Sequence, residues 1–459
     1  MNDTQETNAE AEESVASQLG TEPIGPLLLR YSLPAIASTT IVSLYNICSS
    51  IFIGHGVGPL AITGLAVTFP FMNLVLAVAM LVAIGGATVC SIELGAKNYD
   101  RAKMVLGHNV VLSLIFGAVF AVASLAFLDP ILLLFGASED TLGYARDYME
   151  VILWGAPIGA LMIALSHFMR ASGHPAKSMF ISLFSVGSNF ILTPIFIFVL
   201  HWGIRGAAVA TVLSQVFALF FLLAHFCNKS HLVHFVPGIF RLRLPVMRSM
   251  LSIGLSPFLM NSCACLVIVI INISLRAHGG DLSIGAYGIA NRLIMLFAMV
   301  IIGLTQGMQP LIGFNYGARK MDRVKKTLVY GLIVGTIVTT CGFLAFQLFP
   351  AALARMFTTH QDLIAMAVRG LRLCTAFFFL VGSQIVISAF FQSMGKAPVA
   401  IFLSLSRQMV FLIPGLLVLP RFFGVDGVWI SLPVADVCAS VITFLILRHT
   451  YRSTRYAKM

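Results

Sequence analysis

The sequence predicts an all-α polytopic membrane protein, with twelve transmembrane helices arranged as two pseudo-symmetric six-helix bundles. Three observations lead to this fold class. Hydrophobic residues make up 58% of the 459 residues and charged residues only 10%. Apolar stretches of roughly 20 residues, long enough to cross a bilayer as helices, recur about twelve times. A distinctive basic loop occurs twice at a fixed offset.

The composition indicates lipid rather than water as the solvent of the folded chain. The mean hydropathy is +0.94, and a chain of this size has too few polar residues to cover a water-soluble globule. The eight cysteines lie within or at the ends of apolar stretches and lack metal-ligand spacing. We therefore expect them to be packing residues rather than disulfide partners or zinc ligands.

The repeated loop indicates an internal duplication. Residues 95–103 read GAKNYDRAK and residues 317–325 read GARKMDRVK, and the same offset along the chain also places Gly173 over Gly395. An even number of predicted spans separates the two loops, so both loops emerge on one side of the membrane. The halves are therefore predicted to be parallel repeats about an axis along the membrane normal, with a central pathway between them. A duplicated membrane protein of this kind indicates transport.

The predicted helices divide the chain into five regions. Spans are expected to start near residues 31, 62, 106, 148, 178, 206, 249, 283, 328, 366, 398 and 428. The regions are an acidic disordered cytoplasmic tail (1–25), an N-terminal six-helix lobe (26–228), a basic cytoplasmic linker (229–248), a C-terminal six-helix lobe (249–447) and a basic cytoplasmic tail (448–459). The linker is the longest polar interruption between apolar stretches, which is why it is predicted to separate the two bundles.

The net charge of +11 does not indicate nucleic-acid binding, because the basic residues are concentrated in alternate loops. With the N-terminus inside, the inner loops hold most of the 29 Lys and Arg residues, including Lys97, Arg170 and Arg323. This excess is typical of a cytoplasmic face. We therefore predict a multi-pass protein with both termini in the cytoplasm. Its predicted partners include membrane lipids but no nucleic acid, and the chain is expected to act as a monomer.

One acidic residue is predicted to lie deep in the membrane. Most of the 18 acids fall in the N-terminal tail or in loops, and Glu93 and Glu150 lie close to span ends. Asp436 and Arg407 instead fall at similar depths of consecutive antiparallel spans, roughly 13 to 17 Å from the inner face at about 1.5 Å per residue. Because a buried charge is costly, we predict an ion pair between them. The pair is either a permanent structural lock or a protonation switch that opens during transport.

Uncharged polar residues recur at spacings that place them on one helix face. The pairs are Asn46 with Ser49 and Ser50, Asn189 with Thr193, Thr211 with Gln215, Gln306 with Gln309, and Gln384 with Ser388. They are predicted either to line a wet cavity or to form interhelical hydrogen bonds. The candidate cavity-lining residues are Gln306, Gln309, Gln384 and Gln215.

The sequence lacks the usual signatures of catalysis or cofactor binding. It has no Walker loop, dinucleotide fingerprint or Gly-x-Ser-x-Gly elbow, so neither ATP-driven pumping nor an enzyme is predicted. His225, His231 and His234 imitate a metal cluster, but they stand beside basic residues at an inner interface. Contact with lipid headgroups is an adequate explanation of imidazoles there. We predict no bound metal and no cofactor.

The residues around several of these pairs resemble the multidrug and toxic compound extrusion (MATE) family. The resemblance is carried by Tyr45 and Asn46 followed by IFIG at 51–54, by QGMQP at 306–310 leading into NYGA at 315–318, and by Arg407 and Gln408 with Pro414. It covers nearly everything after residue 25, and the Arg-Gln and Pro-x-Ala-Asp elements are most similar to the MepA-type subgroup. The resemblance implies a bacterial cytoplasmic-membrane antiporter that admits protons or sodium ions while it expels bulky, amphipathic and often cationic compounds.

The sequence departs from the family pattern at two positions, and each departure removes a carboxylate. Family members often have Asp at the position of Ser49, and Asn-x-x-x-Asp-Pro where this chain has Asn189 and Thr193. Neither Ser nor Thr exchanges a proton near pH 7. Coupling is therefore expected to have moved to the C-terminal lobe through Asp436, or the substrates or ions are unusual. The candidate transport and coupling residues are Asp436, Arg407, Asn189, Thr193, Asn46 and Ser49.

Three functions remain open from the sequence. The first is an exporter with alternating access, in which a cavity with aromatic and Met-rich walls opens to one side of the membrane and then to the other. The second is a flippase of lipid-linked precursors, which a basic groove around Arg292 and Arg407 would favour. The third, a membrane enzyme or receptor, would require a catalytic constellation or a ligand domain that the sequence does not show.

Overall fold

A computed structural model describes residues 18–456, and all regular structure in this range is helical. Within it, eleven single helices are long and apolar enough to cross a bilayer, and one bent helix pair gives a twelfth span. The predicted fold class and the predicted spans are confirmed. Helices dominate because lipid offers no hydrogen-bond partners, so each backbone amide must be satisfied within its own segment.

The first six spans form the N lobe. They are α1 (Ile24–Gly56), α2 (Pro59–Gly95), α3 (Tyr99–Ala126), α4 (Glu139–Ala171), α5 (Pro175–Pro194, continued by a π-helical turn Ile195–Val199) and α6 (Gly203–Cys227). A short helix, Leu128–Leu134, joins α3 to α4.

The second six spans form the C lobe. They are α7 (Leu244–Gly280), α8 (Leu282–Gly317), α9 (Met321–Leu348), α10 (Gln361–Cys374 and Phe378–Ser393), α11 (Ala397–Phe423) and α12 (Val425–Tyr456). The backbone of Gly280 has φ +66° and separates α7 from α8. The two parts of α10 meet at an angle of 53°, and α11 contains a π-helical segment, Ser406–Leu412.

The helix boundaries differ from the predicted ones mainly by extension. The helices begin up to nine residues before the predicted starts, as at Glu139, where 148 was expected. The segment between the lobes is residues 228–243 rather than 229–248, and α12 continues through much of the predicted C-terminal tail. Polar interfacial turns can stay helical because water satisfies their free backbone groups. The predicted disorder of residues 1–17 lies outside the described residues, whereas residues 18–21 are helical.

The two basic loops have the same backbone conformation, which confirms the repeat. Lys97 and Arg319 both adopt φ +58°, a left-handed conformation that is uncommon for residues with a side chain and typical of a helix end. The amide of Asn98 donates to the carbonyl of Glu93, and the amide of Lys320 donates to that of Asn315, both at 2.8 Å. We call the end of the molecule that carries these loops the basic-loop end.

The lobes share a hydrophobic core at the basic-loop end and have separate cores at the opposite end. One hydrophobic core at the basic-loop end contains residues of both lobes, among them Leu94 and Phe314. At the opposite end the N lobe has a core of its own around Ile53 and Leu153, and the C lobe has another around Leu275 and Trp429. The described core residues therefore form one core shared by both lobes at the basic-loop end and one core within each lobe at the opposite end.

Glycines allow close approach between the lobes. A Cβ atom added at Gly95 would overlap the carbonyl of Phe314, and one added at Gly317 would overlap the carbonyl of Ile92. The contact is reciprocal, as a two-fold relationship between α2 and α8 requires. At a point on α8 farther from the basic-loop end, the hydroxyl of Ser32 donates to the carbonyl of Leu304 at 3.4 Å, so α1 also packs against α8.

Candidate functional site

The strongest polar interaction within the membrane-spanning part of the C lobe joins α11 to α12. Arg407 Nε donates to Asp436 Oδ1 at 2.6 Å. The Asp436 side chain is 4% exposed and the Arg407 side chain 29%, so the carboxylate is the more deeply buried of the two charged groups. The predicted ion pair is confirmed. Removing one partner of such a pair leaves a buried charge uncompensated, at a cost of about 3–5 kcal/mol.

A local irregularity of α11 positions the arginine. Arg407 is the second residue of the π-helical segment Ser406–Leu412, which widens the helix where Pro414 follows in the next turn. Single π-helical turns within α-helices are found frequently at functional sites. Arg407 lies about 15 Å along α11 from Ala397, and Asp436 about 17 Å along α12 from Val425, at about 1.5 Å per residue. Both residues therefore lie near the middle of their spans.

The N lobe makes the equivalent contact without charges. The offset that relates the two basic loops places Arg407 over Ser185 and Asp436 over Ser214. Ser185 Oγ donates to the carbonyl of Ser214 at 3.2 Å. The repeat therefore preserves the contact between the fifth and sixth helices of each lobe, and only the C lobe has an ion pair at it.

The N lobe contains its own polar network, at a different position. Thr193 Oγ1 donates to Asn189 Oδ1 at 2.8 Å, and Asn189 Nδ2 donates to Thr211 Oγ1 at 3.3 Å. The hydroxyl of Tyr45 lies 3.4 Å from Thr193 Oγ1. These four residues connect α1, α5 and α6. The C-lobe equivalents include Phe411 and Gly415 in place of Asn189 and Thr193, so the network is particular to the N lobe.

A family model matches both halves of this architecture. The model, described as MatE, matches residues 34–195 and 257–417, which contain most of α1 to α5 and most of α7 to α11. The chain belongs to the MATE family. The resemblance predicted from the sequence is therefore confirmed, and the two matched segments correspond to the two lobes.

Individual MATE relatives are similar over nearly the whole chain. The multidrug export protein MepA of Staphylococcus haemolyticus (strain JCSC1435) is 30% identical over 91% of this chain and 92% of its own length. MepA of Staphylococcus aureus (strain MSSA476) is 30% identical over 93% and 94%. The solved MATE multidrug transporter DinF-BH, in complex with a ligand, is 35% identical, covers 94% and 96%, and has a TM-score of 0.87. A MATE structure in the bent conformation, at 23% identity and a TM-score of 0.90 over 96% and 98%, shares the fold.

The two positions at which the MATE pattern predicts carboxylates lie in the N lobe. Thr193 is fully buried and is the central member of the network with Asn189 and Tyr45. Ser49 is half-buried on α1, and no hydrogen bond joins it to that network among the described contacts. The side chain of Asn46 lies outside the described part of the chain. The structure therefore brings together Asn189 and Thr193 of the predicted N-lobe set.

Two of the predicted cavity-lining glutamines are buried instead. Gln309 is 7% exposed, and its Nε2 donates to Thr88 Oγ1 at 2.7 Å and to the carbonyl of Ile84 at 3.3 Å. It therefore joins α8 to α2 across the lobe interface. Gln384 is 4% exposed within the C lobe, and its Oε1 has no hydrogen-bond partner among the described residues. Gln309 thus forms the interhelical hydrogen bonds that the sequence left open as the alternative to a cavity wall, and one-face spacing cannot distinguish the two.

The other predicted polar residues differ in exposure and in hydrogen-bond partners. Gln306 and Gln215 are half-buried, and Gln215 packs its amide close to Gly159 of α4. The hydroxyl of Ser388 lies 3.0 Å from that of Ser404, and no described hydrogen bond joins Ser388 to Gln384. Of the four predicted cavity-lining glutamines, Gln306 and Gln215 are therefore the two that are partly exposed in this conformation.

Sequence reasoning missed a contact between the N-terminal segment and the C lobe. Asn315 Nδ2 donates to the carbonyl of Leu19 at 2.9 Å, and Asn315 Oδ1 accepts from Arg323 Nε at 2.9 Å. Arg323 Nη2 also donates to the carbonyls of Leu19 and Glu22, at 3.0 and 2.6 Å. Leu19 is 1% exposed. The segment before α1 is therefore held at the basic-loop end, and residues 18–25 are not the free tail that their composition predicted.

The repeat explains why the C lobe can hold this segment. At the equivalent N-lobe position Arg101 Nε pairs with Glu93 Oε1 at 3.1 Å. The offset places Asn315 over Glu93, so the arginine of the C lobe has no carboxylate at that position and binds carbonyls instead. A comparison of the two basic loops in the sequence would have shown that Arg323, unlike Arg101, has no carboxylate at the paired position.

One basic residue assigned to a solvated inner loop is buried. Arg170 is 7% exposed near the end of α4, and its Nη1 donates to Ser178 Oγ of α5 at 3.2 Å. The hydroxyl of Ser166 lies 2.9 Å from that of Ser178. Arg170 therefore braces the turn between α4 and α5 and does not contribute an exposed cytoplasmic charge.

Proposed function

We propose that this MATE family member is a secondary active multidrug efflux transporter. It exports amphipathic, cationic compounds by alternating access and takes up protons or sodium ions in exchange. The observation that carries the proposal is end-to-end similarity, across both lobes, to proteins named multidrug export protein MepA. A relative of higher identity is a MATE multidrug transporter solved in complex with a ligand. The buried Arg407–Asp436 pair supplies a titratable group where coupling requires one.

Alternating access is supported by the distribution of the cores. A shared core and the reciprocal Gly95 and Gly317 contact hold the lobes together at the basic-loop end, while separate cores lie at the opposite end. The excess of basic residues supports a cytoplasmic position for the basic-loop end. The structure then corresponds to a state that is closed inward. Rocking of the lobes about the pseudo-two-fold axis would break these contacts and form equivalent ones at the other end.

Coupling is assigned to the C lobe. The N-lobe network of Tyr45, Asn189, Thr193 and Thr211 contains no carboxylate, and hydroxyls and amides do not exchange protons near neutral pH. Protonation of Asp436 would remove the partner charge of Arg407 and release the contact between α11 and α12. A proton entering from outside would thereby alter the C-lobe wall of the pathway. The reading of the pair as a permanent structural lock makes the opposite prediction for Asp436→Asn.

Transport in everted membrane vesicles tests these assignments. Vesicles with wild-type protein should accumulate ethidium, a fluorescent amphipathic cation, when a pH or sodium gradient is imposed, and the Asp436→Asn variant should lose the response to the coupling gradient. Asp426→Asn is the matched control, because Asp426 forms an exposed ion pair with Arg369 at the far end of α12. Gradient-independent uptake by the wild type would refute antiport. An unchanged pH response in Asp436→Asn would leave antiport intact and make the pair a structural lock.

The orientation is proposed as cytoplasmic for both termini, in the bacterial cytoplasmic membrane. Single cysteines placed at Asn98 and Lys320 should both react with a membrane-impermeant thiol reagent only after the membrane is opened. Labelling of the two positions from opposite sides would end the parallel-repeat account. Since one chain supplies both lobes, a monomer is proposed as the transporting unit.

A flippase of lipid-linked precursors is less well supported. The predicted basic groove required Arg292 and Arg407 together. Arg292 is exposed, but the charge of Arg407 is neutralised by Asp436. A polyanionic lipid headgroup would therefore meet one cation fewer than the sequence suggested.

A further inference from the structure

Three histidine side chains meet at the basic-loop end of the N lobe. His174 lies in the turn between α4 and α5, His225 in the last turn of α6, and His231 in the segment that links the two lobes. One ring nitrogen of each histidine lies within 4.8 Å of one ring nitrogen of each of the other two. All three residues are half-buried. This is the one group of three or more His, Cys, Asp or Glu residues in range of a common metal ion within residues 18–456.

The local backbone holds each ring in place. His174 follows Gly173, whose φ of +105° closes the turn after α4, and its amide donates to the carbonyl of Met169 at 3.1 Å. Beyond α6, Asn228 Oδ1 accepts from the amide and the hydroxyl of Ser230 at 3.0 and 2.8 Å. This tight turn brings the His231 ring to a centroid distance of 3.9 Å from that of His225. The cluster is therefore built from three separate segments of chain.

We propose that His174, His225 and His231 form a binding site for a divalent transition metal ion of the Zn²⁺ or Ni²⁺ type. Neutral imidazole is a common ligand of such ions, and the cluster has no carboxylate oxygen of the kind that Mg²⁺ or Ca²⁺ requires. Tetrahedral ligands at about 2.1 Å from zinc lie about 3.4 Å apart. The largest separation in the cluster exceeds this by about 1.4 Å, which small side-chain rotations of two histidines would close. A fourth position stays open to water.

The sequence pointed to a different set of histidines. His234 was grouped with His225 and His231 by spacing, but its Nδ1 lies 2.7 Å from the carbonyl of His231 and it is not part of the cluster. His174 lies far upstream and enters the site only through the packing of the turn before α5 against the end of α6. The rings of His174 and His225 have a centroid distance of 4.8 Å.

The C lobe provides an internal comparison. The offset between the basic loops places Lys396 over His174 and Leu447 over His225. Lys396 Nζ lies 6.0 Å from the centre of the Phe391 ring. The repeat therefore has the same turn in both lobes, but imidazoles only in the N lobe, where an ion would fasten the inter-lobe segment to the ends of α4 and α6. The proposal does not depend on the transported substrate.

Metal titration of the purified full-length protein, with any histidine tag removed, tests the site. Zn²⁺ or Ni²⁺ alone should bind at one ion per chain, while Mg²⁺ should not compete. His174→Ala and His231→Gln should each weaken binding at least about ten-fold, since even loss of an outer-shell partner commonly costs 10- to 100-fold. His234→Ala and the exposed His449→Ala should bind like the wild type.

Two further measurements separate loss of a ligand from loss of fold. Zn²⁺ should raise the unfolding temperature of the wild type and of His234→Ala but not that of His174→Ala, while all three should unfold at similar temperatures without metal. Zinc-edge X-ray absorption of the loaded wild type should show about three imidazole ligands. Wild-type protein that binds no Zn²⁺ at this stoichiometry, or a His174→Ala variant with wild-type affinity, would overturn the proposal.

Discussion

Arg407 and Asp436 form an ion pair at 2.6 Å at the position where the N lobe joins Ser185 to Ser214 by a neutral hydrogen bond. The duplicated scaffold therefore keeps one helix–helix contact in both lobes and changes its chemistry in one of them. A neutral contact costs little to bury, whereas a charged pair is stable only while both partners remain charged. This asymmetry is the physical basis for assigning coupling to the C lobe.

The first prediction concerns the stability of this pair. Arg407→Gln should destabilise the protein by about 3–5 kcal/mol, because Asp436, whose side chain is 4% exposed, is left without its counter-charge. The double variant Arg407→Gln/Asp436→Asn should recover most of this loss. Thermal unfolding in detergent or nanodiscs measures both. An Arg407→Gln variant as stable as the wild type would contradict the desolvated state of the carboxylate.

The second prediction concerns the close crossing of α2 and α8. Gly95→Ala should destabilise the protein by about 1–3 kcal/mol, since the added methyl group would overlap the carbonyl of Phe314. Gly187→Ala is the matched control, because a Cβ atom there meets no neighbour and alanine favours helix by about 1 kcal/mol. Unfolding temperatures of the two variants should therefore shift in opposite directions. Equal shifts would contradict the close packing at the basic-loop end.

The third prediction concerns the segment before α1. Arg323→Gln should reduce the protection of residues 18–23 against hydrogen–deuterium exchange by about 10- to 100-fold, the equivalent of charge-assisted hydrogen bonds of about 1.5–3 kcal/mol. Arg101→Gln, at the equivalent position of the N lobe, should leave this segment protected, because Arg101 pairs with Glu93. The experiment fails to support the contact if both variants behave alike.

The fourth prediction concerns the N-lobe network. Thr193→Val keeps the shape of the side chain but removes the donor to Asn189 Oδ1, so we expect a loss of about 1–3 kcal/mol in unfolding free energy. Thr336→Val on α9 is the control, since Thr336 is exposed. If coupling resides in the C lobe, Thr193→Val should leave the pH response of efflux unchanged. A lost pH response would return coupling to the N lobe.

The Arg407–Asp436 pair shows how far sequence reasoning reached into the candidate site. Depth along each helix follows from the constant helical rise per residue, and consecutive spans must be antiparallel, so two lone charges at equal depth could be paired. Gln309 and Gln384 show where the same reasoning stopped. The sequence predicts on which face of its helix each glutamine lies. Which neighbour covers that face depends on how the helices and lobes pack, and in the structure both side chains are buried.

The sequence by itself determined that the folded chain lies in lipid, and it predicted the twelve spans, the parallel repeat and the Arg407–Asp436 ion pair, because hydropathy and helical rise are local and periodic. Tertiary structure alone decided that Asn315 and Arg323 hold the segment at Leu19, and that His174 rather than His234 joins His225 and His231. These contacts join positions far apart in the chain through turns and lobe packing. No periodicity encodes such distances, so only the packed helices bring the residues together.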